Sequence, residues 1–174
     1  VSAQSWAPAG DRIRTAWAEE VTPENVHKEY PRPQMVRPDW KSLNGLWEYS
    51  ITPKNAAVPE KFDGQILVPF AVESSLSGVG RMLTPEDALW YKTTFRVPSA
   101  WKGMRLMLNF EAVDWQADVI VNDIQVGRHT GGYTHFSFDI TPYLKSGDNT
   151  LVVRVEDSTD NDFQPRGKQV RTPS

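Results

Sequence analysis

Residues 117–127 are Ala-Asp-Val-Ile-Val-Asn-Asp-Ile-Gln-Val-Gly, two short apolar runs separated by Asn122-Asp123. Valine and isoleucine suit the half-buried surface of a pleated strand. Asn and Asp tolerate the positive φ angles that a two-residue hairpin turn requires. The segment therefore predicts a tight hairpin whose strands are Ala117–Val121 and Ile124–Gly127.

Similar short apolar runs occur on both sides of this hairpin. They predict further strands at Gly45–Ile51, Gln65–Val68, Leu89–Val97, Arg105–Phe110, His135–Phe138 and Thr150–Val155. After Trp40 there is no amphipathic pattern of helical length and no internal repeat, which argues against a parallel βαβ arrangement. The sequence predicts an all-β fold, an antiparallel sandwich of eight or nine strands.

The first 39 residues have the composition of an irregular leader that precedes a sandwich domain at residues 40–174. Prolines at 8, 23, 31, 33 and 38 leave room for at most one helix, around Arg12–Glu20. The leader contains Trp6 and Trp17, and aromatic side chains are seldom left exposed in a free tail. We expect both to dock on the sandwich or on a neighbouring domain.

Composition and charge exclude several classes of function. With 19 basic and 22 acidic residues the net charge is −3, and no Lys/Arg cluster indicates nucleic-acid binding. No segment approaches the roughly 20 apolar residues that cross a bilayer. There is no cysteine, so disulfides and thiolate metal sites are excluded. We expect no nucleic-acid partner, no membrane association and no cofactor.

Several polar residues have a structural interpretation. His129 and His135 flank Gly131-Gly132 without a third ligand at metal-site spacing, so we expect local hydrogen bonds rather than a metal site. Asp114 follows an apolar strand, and we expect its carboxylate to accept hydrogen bonds from the loop backbone.

Four aromatic residues are candidates for a platform on which a sugar ring stacks: Trp47, Trp90, Tyr91 and Trp115. Trp47 and Trp90 lie within predicted strands and are expected to be buried. Trp115 lies at a strand end, which makes it the better surface candidate.

Beyond these patterns, the sequence resembles the sugar-binding domain of glycoside hydrolase family 2. The matching blocks follow one another in the family's order over about residues 32–169. They are Arg32–Arg37, Leu43–Trp47, Leu67–Phe70, Glu73-Ser74, Leu76–Val79, Leu89–Tyr91, Phe95, Phe110–Trp115, Val121-Asn122, Val126-Gly127, His129, Gly131–Tyr133, Phe136, Phe138–Thr141, Asp157 and Arg166–Gln169.

The resemblance implies a galactose-binding-domain-like jelly roll at the front of a longer β-galactosidase- or β-glucuronidase-like enzyme. In that family an immunoglobulin-like domain and a TIM barrel follow on the same polypeptide, and two glutamates of the barrel cleave the β-glycosidic bond with retention. The family's acid/base glutamate follows an asparagine, and this sequence has no Asn-Glu dipeptide. We therefore expect no catalytic residue in this chain, whose last residue, Ser174, should lie near the domain border.

The resemblance also points to the polar segment Asp157–Gln169. In family members the corresponding loop reaches the mouth of the barrel, where an acidic side chain binds sugar hydroxyls. By position this role falls on Asp160 or Asp162, with Arg166, Lys168 and Gln169 as neighbouring substrate-binding residues. The alternative is a solvated loop rich in Asp and Asn.

Two other functions are compatible with the sequence: a free-standing carbohydrate-binding module and a purely structural interaction domain. The sequence does not specify the sugar or the linkage. The leader is similar to a mature start behind a removed signal peptide, so we expect a periplasmic or extracellular enzyme, with the cytoplasm as the other option.

Overall fold

The computed structural model describes residues 6–11 and 13–157, and this part of the chain is all-β. Its strands are β1 Gly45–Pro53, β2 Gly64–Val68, β3 Asp87–Arg96, β4 Met107–Phe110, β5 Gln116–Val121, β6 Ile124–Thr130, β7 Phe136–Asp139 and β8 Asp148–Glu156. The predicted strands are thus confirmed. Short 3₁₀ turns occur at Ala16–Glu20, Pro33–Met35, Ser75–Ser77, Ser99–Trp101 and Thr141–Tyr143. None of the helical segments found in the described residues is long and apolar enough to cross a membrane.

One predicted strand is shorter than expected, because β4 begins at Met107 rather than at Arg105. The amide of Leu106 donates to Thr141 Oγ1 at 2.8 Å, outside the strand ladder. Arg105 forms an ion pair with Asp139 (Nε to Oδ2, 2.7 Å). Asp139 also accepts from the amide of Thr141 at 3.0 Å, as expected for a residue that starts a turn.

The strands form two antiparallel sheets. Six strands are ordered β2-β1-β3-β8-β5-β6, and the remaining two pair as β4-β7. This arrangement confirms the antiparallel β-sandwich, while the jelly-roll winding stays a prediction from the resemblance. One face of the large sheet supplies Trp47, Leu89, Val119 and Val153 to the main hydrophobic core, against Leu108 and Phe136 of the small sheet.

The hairpin predicted from residues 117–127 is present. Val121 pairs with Ile124, and the two residues between them have φ angles of 49° and 68°. The side chain of Asn122 donates to the carbonyl of Tyr143 at 2.8 Å, so the turn is also tied to the β7–β8 connection.

The leader is partly docked on the sandwich. A Cβ atom on Gly78 would lie 2.9 Å from the Trp6 indole, so this ring fits against the glycine backbone. Nearby, the amide of Ala9 donates to the carbonyl of Ser75 at 2.8 Å. Trp17 is different, because its side chain is 74% exposed and its turn buries Ala18 instead. Docking on the sandwich is therefore confirmed for Trp6 and absent for Trp17, for which docking on a neighbouring domain stays a prediction.

Candidate functional site

The candidate site is at the end of the large sheet where β8 finishes. Gln116, the first residue of β5, pairs with Glu156, the last residue of β8. The amide of Trp115 donates to the carbonyl of Glu156 at 3.3 Å, and the amide of Gly131 donates to the carbonyl of Trp115 at 2.8 Å. These bonds bring the β4–β5 loop, the β6–β7 loop and the chain after β8 together at one end of the sandwich.

The predicted substrate-binding residues lie outside the described residues; they are Asp160, Asp162, Arg166, Lys168 and Gln169. Their roles stay predictions. The described chain reaches Asp157, the first residue of the polar segment, directly beyond β8.

At this end of the sheet Asp114 packs closely against Gly132. A Cβ atom on Gly132 would overlap the Asp114 carboxylate, so the approach requires glycine. Partial burial raises the pKa of Asp114, and the negative charge of Asp157 raises it further. Within residues 6–11 and 13–157 no hydrogen bond reaches this carboxylate, so the expected backbone hydrogen bonds are absent there. The contact of Asp114 with Gly132 is one of close packing.

The two histidines differ in their surroundings. His129 lies 3.1 Å from Thr134 (Nε2 to Oγ1), and its ring stacks on Phe136 with centroids 4.1 Å apart. The local hydrogen bond expected for His129 is confirmed. His135 is exposed and has no hydrogen bond within the described segments, so that part of the expectation was wrong. No group of three or more acidic or histidine side chains suited to a metal ion occurs among the described residues.

The tryptophans of the strands are buried, as predicted. Trp47 is 6% exposed and donates from Nε1 to the carbonyl of Leu43 at 2.8 Å. Trp90 is 3% exposed and donates to Thr52 Oγ1 at 2.9 Å. Neither ring is available to a sugar, whereas Trp115 is half-buried. Tyr133, which was not among the predicted platform residues, is exposed at the tip of the β6–β7 loop, and its position after Gly131-Gly132 was the available signal.

A charge network centred on the buried Asp118 carboxylate lies beside this end of the sheet, and the sequence did not predict it. The Asp118 carboxylate accepts hydrogen bonds from Nε and Nη2 of Arg128, at 2.6 Å and 2.9 Å. It also lies 3.4 Å from Arg154 Nη1 and accepts from Gln125 Nε2 at 3.0 Å. Asp118 is only 5% exposed. Such burial of a carboxylate requires paired charges and hydrogen bonds.

Arg154 connects this network to the end of β8. Its guanidinium lies over the Trp90 ring, 5.5 Å from the centroid, and its Nη2 donates to the carbonyl of Lys54 at 2.7 Å. Its Nη1 also pairs with the carboxylate of Glu156, which in turn lies 3.8 Å from Lys54 Nζ. These contacts fix the last residue of β8 and therefore the point from which the polar segment departs. The sequence signal was one charged residue inside each of two apolar strands, Asp118 in β5 and Arg154 in β8. Such charges are seldom buried without partners.

Comparison with known proteins gives a consistent result. The family profile described as "Glycosyl hydrolase 2 galactose-binding domain-like" matches residues 81–172. A β-glucuronidase of Paenibacillus borealis is 30% identical over 146 residues, which are 80% of this chain and 24% of that protein. A β-galactosidase of Thermoanaerobacter pseudethanolicus is 42% identical over 83 residues, 47% of this chain and 11% of that protein.

Solved structures agree with these relatives. The β-glucuronidase of Lactobacillus rhamnosus superposes with a TM-score of 0.54 at 31% identity, over 66% of this chain and 20% of that one. The Bifidobacterium dentium β-glucuronidase, solved with coumarin-3-O-glucuronide, gives a TM-score of 0.52 at 28% identity, over 66% of this chain and 19% of that one. This chain thus spans a quarter or less of each of these proteins.

Proposed function

The chain belongs to the galactose-binding-like domains of glycosyl hydrolase family 2, and from this premise we propose that it is the non-catalytic sugar-binding domain of a retaining β-glycosidase. The family match over residues 81–172 is the observation that carries the proposal. The relatives named above support a parent enzyme that acts on β-galactosides, β-glucuronides or related β-glycosides.

In this proposal the bond-breaking chemistry belongs to a TIM barrel that follows an immunoglobulin-like domain on the same polypeptide. Two glutamates act there, one as acid/base and one as the nucleophile that forms a covalent glycosyl intermediate. The present domain braces the barrel and directs the polar segment after β8 toward its mouth. We further propose that the enzyme is exported to the periplasm or the extracellular space.

The proposed chemistry of the polar segment is recognition of hydroxyl groups. A carboxylate from Asp160 or Asp162 accepts hydrogen bonds from adjacent sugar hydroxyls, and Arg166, Lys168 and Gln169 donate to sugar oxygens. The anchored end of β8 supports this role, because Arg154 holds Glu156 one residue before the segment begins. A fixed starting point reduces the conformational freedom that is lost when substrate binds.

The first test is activity of the isolated chain. We expect the 174-residue protein to release no more aryl alcohol from aryl β-galactosides and β-glucuronides than buffer does, because the barrel carboxylates are missing. The full-length enzyme, assayed in parallel, is the positive control. Turnover by the isolated chain that disappears on replacement of one of its own carboxylates would overturn the assignment.

The second test concerns the polar segment in the full-length enzyme. We expect Asp160→Ala or Asp162→Ala to lower kcat/KM by about ten- to a hundredfold, because a charge-assisted hydrogen bond to substrate contributes about 1.5–3 kcal/mol. The melting temperature should change little. The matched control is Asp148→Ala, which replaces an exposed acidic residue at the start of β8 and should leave kcat/KM unchanged. Unchanged kinetics in both segment variants would leave a structural interaction domain as the better description.

A further inference from the structure

The leader contains a cleft of about 250 Å³ that is separate from the end of β8. It forms because the 3₁₀ turn Ala16–Glu20 is followed at once by a second turn. The Asn25 side chain closes both, donating to the carbonyl of Glu20 at 2.7 Å and accepting from the amide of Thr22 at 2.8 Å. The cleft is lined by Trp17, Glu20, Val21, Asn25, Val26, His27 and Glu29.

Trp17 is one of the residues that line the cleft. Its side chain is 74% exposed, whereas Val26 beneath the cleft is 2% exposed. Exposed tryptophan is uncommon on a folded surface, and an indole beside a concave site offers a flat apolar face to a ligand. Trp17 does not dock on the sandwich, so it is exposed within the described part of this chain.

The polar groups of the cleft are mainly hydrogen-bond acceptors. The Glu20 carboxylate is exposed and has no hydrogen bond or ion pair in the described part of the chain. Glu29 lies 3.0 Å from His27 (Oε1 to Nδ1), and this contact lowers the pKa of Glu29. Glu29 therefore stays ionised, and the cleft presents two carboxylates without a lysine or arginine among its lining residues.

We propose that this cleft is a second carbohydrate site that binds a neutral pyranoside. The apolar face of the sugar ring would stack on Trp17 while its hydroxyls donate to Glu20 and Glu29. A uronic acid is disfavoured, because its carboxylate would face two like charges. An organic cation is the competing ligand, because it could stack on the indole and pair with Glu20, and tetramethylammonium in the titration represents it. The inference goes beyond the proposed function and requires neither the barrel nor the polar segment.

The test is an NMR titration of the 174-residue chain, following the indole N–H signal of Trp17, which Trp17→Phe identifies. We expect saturable shifts with methyl β-galactopyranoside. The affinity for methyl β-glucuronide should be weaker by at least about tenfold. The Trp17→Ala variant lacks this indole, so its affinity is measured from backbone amide shifts; we expect it to fall by about tenfold or more. Tyr133→Ala, which removes another exposed aromatic side chain, should retain binding.

The charge argument has its own variant. Glu20→Lys replaces an exposed acceptor by a cation. It should therefore reduce the difference in affinity between the galactoside and the glucuronide. Equal binding of both sugars by the unmodified chain, tighter binding of tetramethylammonium than of galactoside, or no saturable shift with any of the three would overturn the proposal. An equal loss of affinity in Trp17→Ala and Tyr133→Ala would do so too. The activity of the full-length enzyme is independent of these outcomes.

Discussion

Replacing Trp90 with alanine is expected to destabilise the domain by about 3–5 kcal/mol, because a large buried ring is removed and the surrounding structure closes only partly over the cavity. Two specific contacts are lost as well. Thr52 Oγ1 loses the indole donor at 2.9 Å, and the Arg154 guanidinium loses the ring beneath it. Since domains of this size have total stabilities of about 5–15 kcal/mol, the loss is a large share of the whole.

Equilibrium unfolding in urea would measure this effect. Trp47→Ala should show a loss of similar size, because Trp47 is also buried. Trp17→Ala is the matched control, since it removes the same side chain from a position that is 74% exposed and should change stability by about 0.5 kcal/mol or less. If Trp90→Ala had the same urea unfolding midpoint as Trp17→Ala, the burial of Trp90 would be contradicted.

The position of Trp90 also shows what a sequence pattern leaves undetermined. Side chains alternate along a strand, and its neighbour Leu89 belongs to the main core, so Trp90 points to the opposite face of the large sheet. There it pairs in register with Ser50 and Arg154. Apolar neighbours predicted burial correctly. The face could not be predicted, because it depends on which segment covers the outer side of the sheet.

The strands themselves were predictable because their signals are local. β-Branched runs, glycine-containing turns and the Asn122-Asp123 pair act over a few residues, and each has a direct conformational consequence. The limits of β4 were less predictable. The first two residues of the predicted strand, Arg105 and Leu106, lie outside β4 because they bind Asp139 and Thr141, which are more than 30 residues away in sequence.

The candidate site was predictable only in outline. The polar segment after β8 was predicted from family resemblance, and its predicted substrate-binding residues lie beyond Asp157, outside the described chain. The packing of Asp114 against Gly132 depends on two loops, separated in sequence, that the paired strands bring together. Likewise, the pairing of Asp118 with Arg128 and Arg154 follows from strand register, and register cannot be derived from the presence of charges alone.

The Asp118→Asn variant is therefore the sharpest test of this register. It retains the shape of the side chain but removes the negative charge between Arg128 and Arg154. Arg154 is only 14% exposed, so it would be left with less compensation in a poorly solvated position. Breaking a buried ion pair by removing one partner costs about 3–5 kcal/mol, and we expect Asp118→Asn to approach that range. Glu156 still pairs with Arg154, which places the expected loss toward the lower end.

The chain provides a matched control for this prediction. Asp148 also binds both nitrogens of an arginine fork, that of Arg96, but the side chains are 56% and 72% exposed. Water and salt screen such a pair, so Asp148→Asn should shift the urea midpoint much less than Asp118→Asn does. The difference should persist at high salt, because the Asp118 carboxylate is almost fully buried. Equal midpoints for the two variants would show that the β8–β5–β6 register brings these charges together without burying them.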